Sequence, residues 1–197
     1  MTWTLDPAHS SVTFSAKHMM VTTVRGSMTI RDLDLDFDPD DLTGSSVRVV
    51  LDAASIDTNQ QMRDDHLRSA DFLDVATHPE ITFQSTEIVS KGGDDYEIRG
   101  DLTIRGTTRP VTLKAEYAGT VTNMQGGKSA GFSATTKINR EDFGLTWNVA
   151  LEQGGLLVSK DIKIEIDLEV MSAAADVPAE AQAESEMDER EAARASA

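Results

Sequence analysis

The chain has no cysteine, which excludes a disulfide framework and any thiolate-bound metal. It has no run near the ~18 consecutive apolar residues that a transmembrane helix needs, so stable membrane insertion is not expected. The opening stretch Met1-Thr2-Trp3-Thr4-Leu5-Asp6-Pro7 carries neither the basic patch nor the apolar core of a secretory signal. A cytoplasmic location is therefore expected. Positive charge is scarce as well: 18 Lys and Arg face 34 Asp and Glu, for a formal net charge of −16. Such a chain repels phosphate backbones, so nucleic acid is not an expected partner.

Catalytic signatures are also missing. There is no G-x-S-x-G, no phosphate-binding loop and no dinucleotide fingerprint. The stretch from Asp32 to Gly44 lacks the Gly and Glu positions of a calcium loop. His9, His18, His66 and His78 are scattered without metal-ligand spacing. Asp34, Asp36 and Asp38 fall at outward parity and read as solubility and edge protection. No enzyme activity, no cofactor and no metal is expected.

What is present is alternation. Val12, Phe14 and Ala16 alternate with Thr13, Ser15 and Lys17, and Leu33, Leu35 and Phe37 with Asp34, Asp36 and Asp38. The last run is the cleanest: Ile162, Ile164, Ile166, Leu168 and Val170 are spaced by charged residues. A period of two is the mark of strands with one buried face. Turn signals such as Lys91-Gly92-Gly93-Asp94 and Arg105-Gly106-Thr107 separate the runs, so neighbouring strands form antiparallel hairpins. Thr58 to Leu73 breaks the alternation. Met62, His66 and Leu67 there suggest one short helix, capped by Asp57 or Thr58.

Composition shifts after Met171. Residues 172–197 are mostly Ala, Glu, Asp and Ser, with little to bury. The expected organisation is one domain over 1–171 followed by a disordered acidic tail over 172–197. The domain is all-β: about eight antiparallel strands, one short helix, and closure into a barrel that leaves no exposed edge.

Several blocks carry a resemblance. They are Asp6-Pro7-Ala8-His9-Ser10-Ser11-Val12-Thr13-Phe14, then His18 with Val24-Arg25-Gly26, then Ser55-Ile56-Asp57-Thr58-Asn59 leading to Arg63-Asp64-Asp65-His66-Leu67. Asp71-Phe72-Leu73-Asp74, His78-Pro79-Glu80-Ile81-Thr82-Phe83, Gly100 to Val111 and Asn139 to Gly144 follow in order. Together they resemble the YceI-like family. That resemblance implies a lipocalin-like barrel that binds a polyisoprenoid or another long-chain lipid, such as a quinone or polyprenyl compound. Members of the family often pair, so the resemblance leaves a homodimer open alongside a monomer.

On this reading the candidate ligand-binding residues are Phe14, His18, Met20, Met28 and Phe72, together with Phe83, Leu102, Phe132, Phe143 and Trp147. Each apolar member is equally suited to a packed core, and methionine suits either role. His18 shares the inward parity of Phe14 and Ala16, so it needs either a polar core partner or a ligand head group. Arg63, Asp64, Asp65 and Arg68 form either a solvated helix face with an Asp64–Arg68 pair, or a rim for a polar head. The rival to lipid binding is a protein-interaction module with a barrel filled by side chains and no small-molecule ligand.

Overall fold

The computed structural model describes residues 3–124, 126–152 and 155–172. Ten antiparallel strands form one curled sheet. They are β1 (Trp3–Leu5), β2 (Ser11–His18), β3 (Thr22–Met28), β4 (Ile30–Asp38) and β5 (Asp41–Asp52), then β6 (Glu80–Gly92), β7 (Asp95–Ile104), β8 (Thr107–Thr122), β9 (Lys128–Asn139) and β10 (Val158–Ser172). A short helix, α1 (Gln61–Arg68), lies between β5 and β6. Among the described residues no helix is long and apolar enough to cross a membrane.

The hydrogen-bonded order is β3-β2-β10-β9-β8-β7-β6-β5-β4, with β1 on β10. The two outer strands, β3 and β4, are consecutive in the chain and separated only by Thr29. The sheet therefore curls until its ends meet at one residue. Backbone bonds between Ser27 and Asp57, and from the Asp52 amide to the Thr29 carbonyl (3.1 Å), stitch this seam. The ten strands, against about eight expected, include the three-residue β1 and reflect a split at Thr29: Met28 and Ile30, which alternate as if on one strand, belong to partners on opposite sides of that seam.

Turn chemistry sets the registers. Ile104 pairs with Thr107 across Arg105-Gly106, whose φ angles of +49° and +70° match the twist that a two-residue hairpin needs. The β6–β7 register shifts between the Ser85–Gly100 and Glu87–Arg99 pairs. The extra residue, Thr86, reverses parity. That is why Ile81 and Phe83 share the inner face with Ile88.

Two apolar clusters sit inside the curl. The larger includes Val47, Ile81, Leu102, Leu113 and Phe143. The smaller gathers Trp3, Phe37, Leu42, Ala130 and Val170, with Tyr117 and Phe132 packed against it. The Trp3 and Phe37 rings are 4.6 Å apart, and Phe132 meets Phe37 edge-on at 5.2 Å. This cluster draws on β1, the end of β4, the start of β5, β8, β9 and the end of β10, and so packs across one end of the barrel. Ser172, expected to open the tail, instead ends β10, where it is buried opposite Trp3. Residues 173–197, the rest of the expected acidic tail, lie outside the described residues.

Candidate functional site

Alternation brings one apolar face of nearly every strand to a common interior, and that interior is hollow. A cavity of about 450 Å³ runs from the closed aromatic end to a second end built by α1 and the loops around Phe72 and Trp147. Its wall is almost wholly hydrocarbon: Val12 and Phe14 on β2, Val49 on β5, Leu113 on β8 and Ile164 on β10 are representative.

Of the sequence candidates, Phe14, His18, Met28 and Phe72 line the cavity, as do Phe83, Leu102, Phe132 and Trp147. Met20 and Phe143 do not. Met20 lies beyond β2, which stops at His18. Met19 and Met20 then take left-handed φ values of +52° and +58°, and Met20 turns out to solvent at 71% exposure. Phe143 sits in a single 3-10 turn after β9, where a period of two no longer applies, and is buried outside the cavity.

The helix departs from expectation in its cap and its faces. Gln60 caps it, accepting from the Arg63 amide. Met62 is exposed, while His66 and Leu67 reach the cavity. Asp64 is no part of a solvated face: it is 4% exposed. Its Oδ1 accepts from the Thr58 amide at 3.0 Å and from the Thr58 hydroxyl. Burial pushes the Asp64 carboxyl up, but bonds from the Thr58 side chain and from the Thr58 and Gln60 amides, with the Arg68 charge behind them, outweigh it and hold it below the usual carboxylate range. Arg68 pairs with Asp65 (3.2 Å) rather than Asp64, and donates to the Ala54 and Ile56 carbonyls. Arg63 donates to the Thr58 hydroxyl and carbonyl at 2.7 and 2.8 Å. These arginines bolt the helix to the segment before it.

This bolt carries a prediction. Asp64→Asn keeps one acceptor but loses the charge, and should cost about 1.5 kcal/mol at neutral pH. A carboxyl with a lowered folded pKa stabilises fully above its unfolded value near 3.9 and loses that contribution as pH falls through the folded value. Urea midpoints of the wild type and the variant should therefore converge in acid. A gap that stays constant down to low pH would contradict the assignment.

The second end of the cavity holds most of its polar groups. His66 stands edge-on to Phe72 (5.0 Å) and Trp147 (4.6 Å), and its Nε2 is 3.1 Å from Asp71. Arg140, which sequence reasoning missed as a site residue, is 2% exposed and lines the cavity. Its signal was available: Phe132, Ala134, Thr136, Ile138 and Arg140 share one parity. His18 lines the wall with no side-chain hydrogen bond among the described residues. Elsewhere, His9 bonds Asp6 at 2.9 Å with Glu169 nearby, on the outside of the barrel.

Comparison with known proteins agrees with this architecture. The YceI-like domain family matches residues 3–170. A UPF0312 protein of Vibrio cholerae is 40% identical over 138 residues, covering 70% of this chain and 73% of that protein. The crystal structure of Burkholderia cenocepacia BcnA superposes with a TM-score of 0.72 at 26% identity, covering 84% of this chain and 99% of that one. A polyisoprenoid-binding domain from Saccharophagus degradans shares the fold at a TM-score of 0.58 and 14% identity, covering 85% of this chain and 97% of that one. With nearly the whole barrel matched in sequence and in shape, the chain belongs to the YceI-like domain family.

Proposed function

We propose that this protein binds a long-chain amphiphilic lipid, of the polyisoprenoid type, inside the barrel and carries or sequesters it without chemical change. The observation that carries the reading is the hollow interior of about 450 Å³, within the roughly 300–1,000 Å³ typical of small-molecule sites. Its apolar, elongated wall suits a hydrocarbon tail. The Saccharophagus degradans relative in fold, a polyisoprenoid-binding domain, supports the same ligand class. Each methylene taken from water contributes about 0.8 kcal/mol. A tail of ~15 carbons then gives roughly 12 kcal/mol before the several kcal/mol lost to ordering and association. Micromolar affinity follows from the tail alone.

The interaction-module alternative requires a barrel packed solid with side chains, which the described residues do not form. Native mass spectrometry of the purified protein, followed by lipid extraction, tests the proposal. The expected result is a retained hydrophobic adduct, or uptake of an added polyprenyl compound at one per chain. Protein that carries no adduct and takes up no such compound would remove the proposal.

A further inference from the structure

Arg140 is held in an unusual state for a guanidinium. It follows Ile138 on the inward parity of β9 and enters the wall just where the strand gives way to a 3-10 turn. Its Nε donates to the Ser159 carbonyl at 3.0 Å, and its Nη1 to the carbonyls of Leu145 and Trp147. Those bonds fix the plane of the group and fasten the Leu145–Trp147 loop to it. The Phe72 ring lies 6.0 Å from its central carbon, a favourable neighbour for a cation. Its Nη2 is fully buried and has no hydrogen-bond partner among the described residues.

The charge is as exposed energetically as the nitrogen is sterically hidden. No carboxylate bonds to Arg140 among the described residues. Glu141 acts on it only through space, and its carboxylate is engaged with Lys160 at 2.8 Å. Arginine does not shed its proton to escape burial, and a buried charge is normally paired. The cavity wall as a whole inverts the sign of the chain. In a protein of net charge −16, the ionised side chains on the wall are Lys17, Arg63 and Arg140 against a single carboxylate, Glu116. Glu116 adjoins Tyr117, which packs in the aromatic group at the closed end. At the far end the nearby carboxylates are already engaged, Asp64 by Thr58, Asp65 by Arg68 and Asp71 by His66, and Arg140 is left as the buried cation without a bonded carboxylate among the described residues.

We propose that Arg140 is the anchor for the head of the lipid: its Nη2 donates to an anionic oxygen, of a phosphate or a carboxylate, at the end of an apolar tail. This deepens the function proposed above and rests on it. The guanidinium is held by three backbone carbonyls, so a head group that displaces the atoms covering Nη2 meets a donor already oriented. Charge-assisted bonds of this kind are short and strong in a dry site. A neutral hydroxyl would satisfy the hydrogen bond and leave the charge unpaired.

The test uses delipidated full-length protein and probes that share one tail: geranylgeranyl phosphate, geranylgeranoic acid and geranylgeraniol. Calorimetric titrations at neutral pH compare the wild type with Arg140→Lys and Arg140→Met. The wild type should bind at least one anionic probe roughly tenfold or more tighter than the alcohol. A preference for phosphate alone, or for both anions, names the source of the charge. Arg140→Met should erase the preference, so that affinity for the anionic probe falls at least roughly tenfold more than affinity for the alcohol, a selectivity that a merely structural arginine would not control. Arg140→Lys should weaken it while keeping the fold if the methionine variant does not fold. Equal binding of alcohol and anions by the wild type, or a preference that survives in the variants, overturns the anchor and leaves lipid binding standing. Failure of all three probes to bind overturns both.

Discussion

Gly100→Ala should destabilise the domain by about 3 kcal/mol, a fall of roughly 6–12 °C in Tm for a chain of this size. Gly100 sits on β7 opposite Ser85, beside the parity-reversing residue of β6. A Cβ there would lie 2.4 Å from the Gln84 carbonyl oxygen and 2.5 Å from the Phe83 ring. The first contact is backbone and cannot rotate away. The second is a ring lying flat across the strand on the bare α-carbon. Gly26, paired with Phe14 on β2, repeats the arrangement: its Cβ would meet the Phe14 ring at 2.5 Å. The control is Gly44→Ala, where nothing lies within 4 Å and the change should stay within about 0.5 kcal/mol. Thermal melts of the two variants decide it. Equal melting temperatures would mean that Phe83 and the β6 backbone relax freely, contrary to the packing described.

The other large effect is on binding. Ala134 lies midway along β9, on the cavity wall and facing Ile166 across the β10 pairing. Ala134→Phe places a ring in the bore at a cross-section where the native side chain is a methyl group. A ring that excludes about four methylenes of the tail removes about 3 kcal/mol of burial, roughly a hundredfold in Kd. Because the ring fills empty apolar space, the fold should hold or gain slightly in stability. Opposite movements of Tm and affinity separate a blocked bore from a damaged protein. Displacement of a fluorescent long-chain probe measures the affinity. Unchanged binding with a raised Tm would place the occupant somewhere other than the barrel interior.

The strands were legible because burial on one side of a sheet writes itself into every second residue. Ile162, Ile164, Ile166 and Leu168 show it, and the structure places all of them on the cavity wall. The same parity, carried two residues past Ile138 to the first residue after β9, reaches Arg140. Alternation says nothing where the backbone leaves the strand, as at Met20 after the end of β2 and at Phe143 in its 3-10 turn. It could not show the break at Thr29 either, since strand partners on opposite sides of a seam leave the pattern unbroken. The helix was harder still. The spacing of Met62, His66 and Leu67 points to one face, yet only His66 and Leu67 reach the cavity while Met62 is exposed, and Asp64 is buried as well, captured by Thr58 from six residues upstream. A carboxylate taken in by backbone and hydroxyl donors has no periodic trace in a sequence. Whether the interior was hollow was equally hidden, because a wall and a core draw on the same side chains.

The aromatic group of Trp3, Phe37, Tyr117 and Phe132 gives the barrel a floor. Between that floor and the Arg140 end, β10 alone runs from Ile162 to Leu168, roughly 20 Å of extended chain. A tube with a floor is a ruler. If the lipid enters as proposed, a tail that is too short would leave wall unwetted beneath it and one that is too long would hold its head group clear of Arg140, so length and charge would be read together in one insertion.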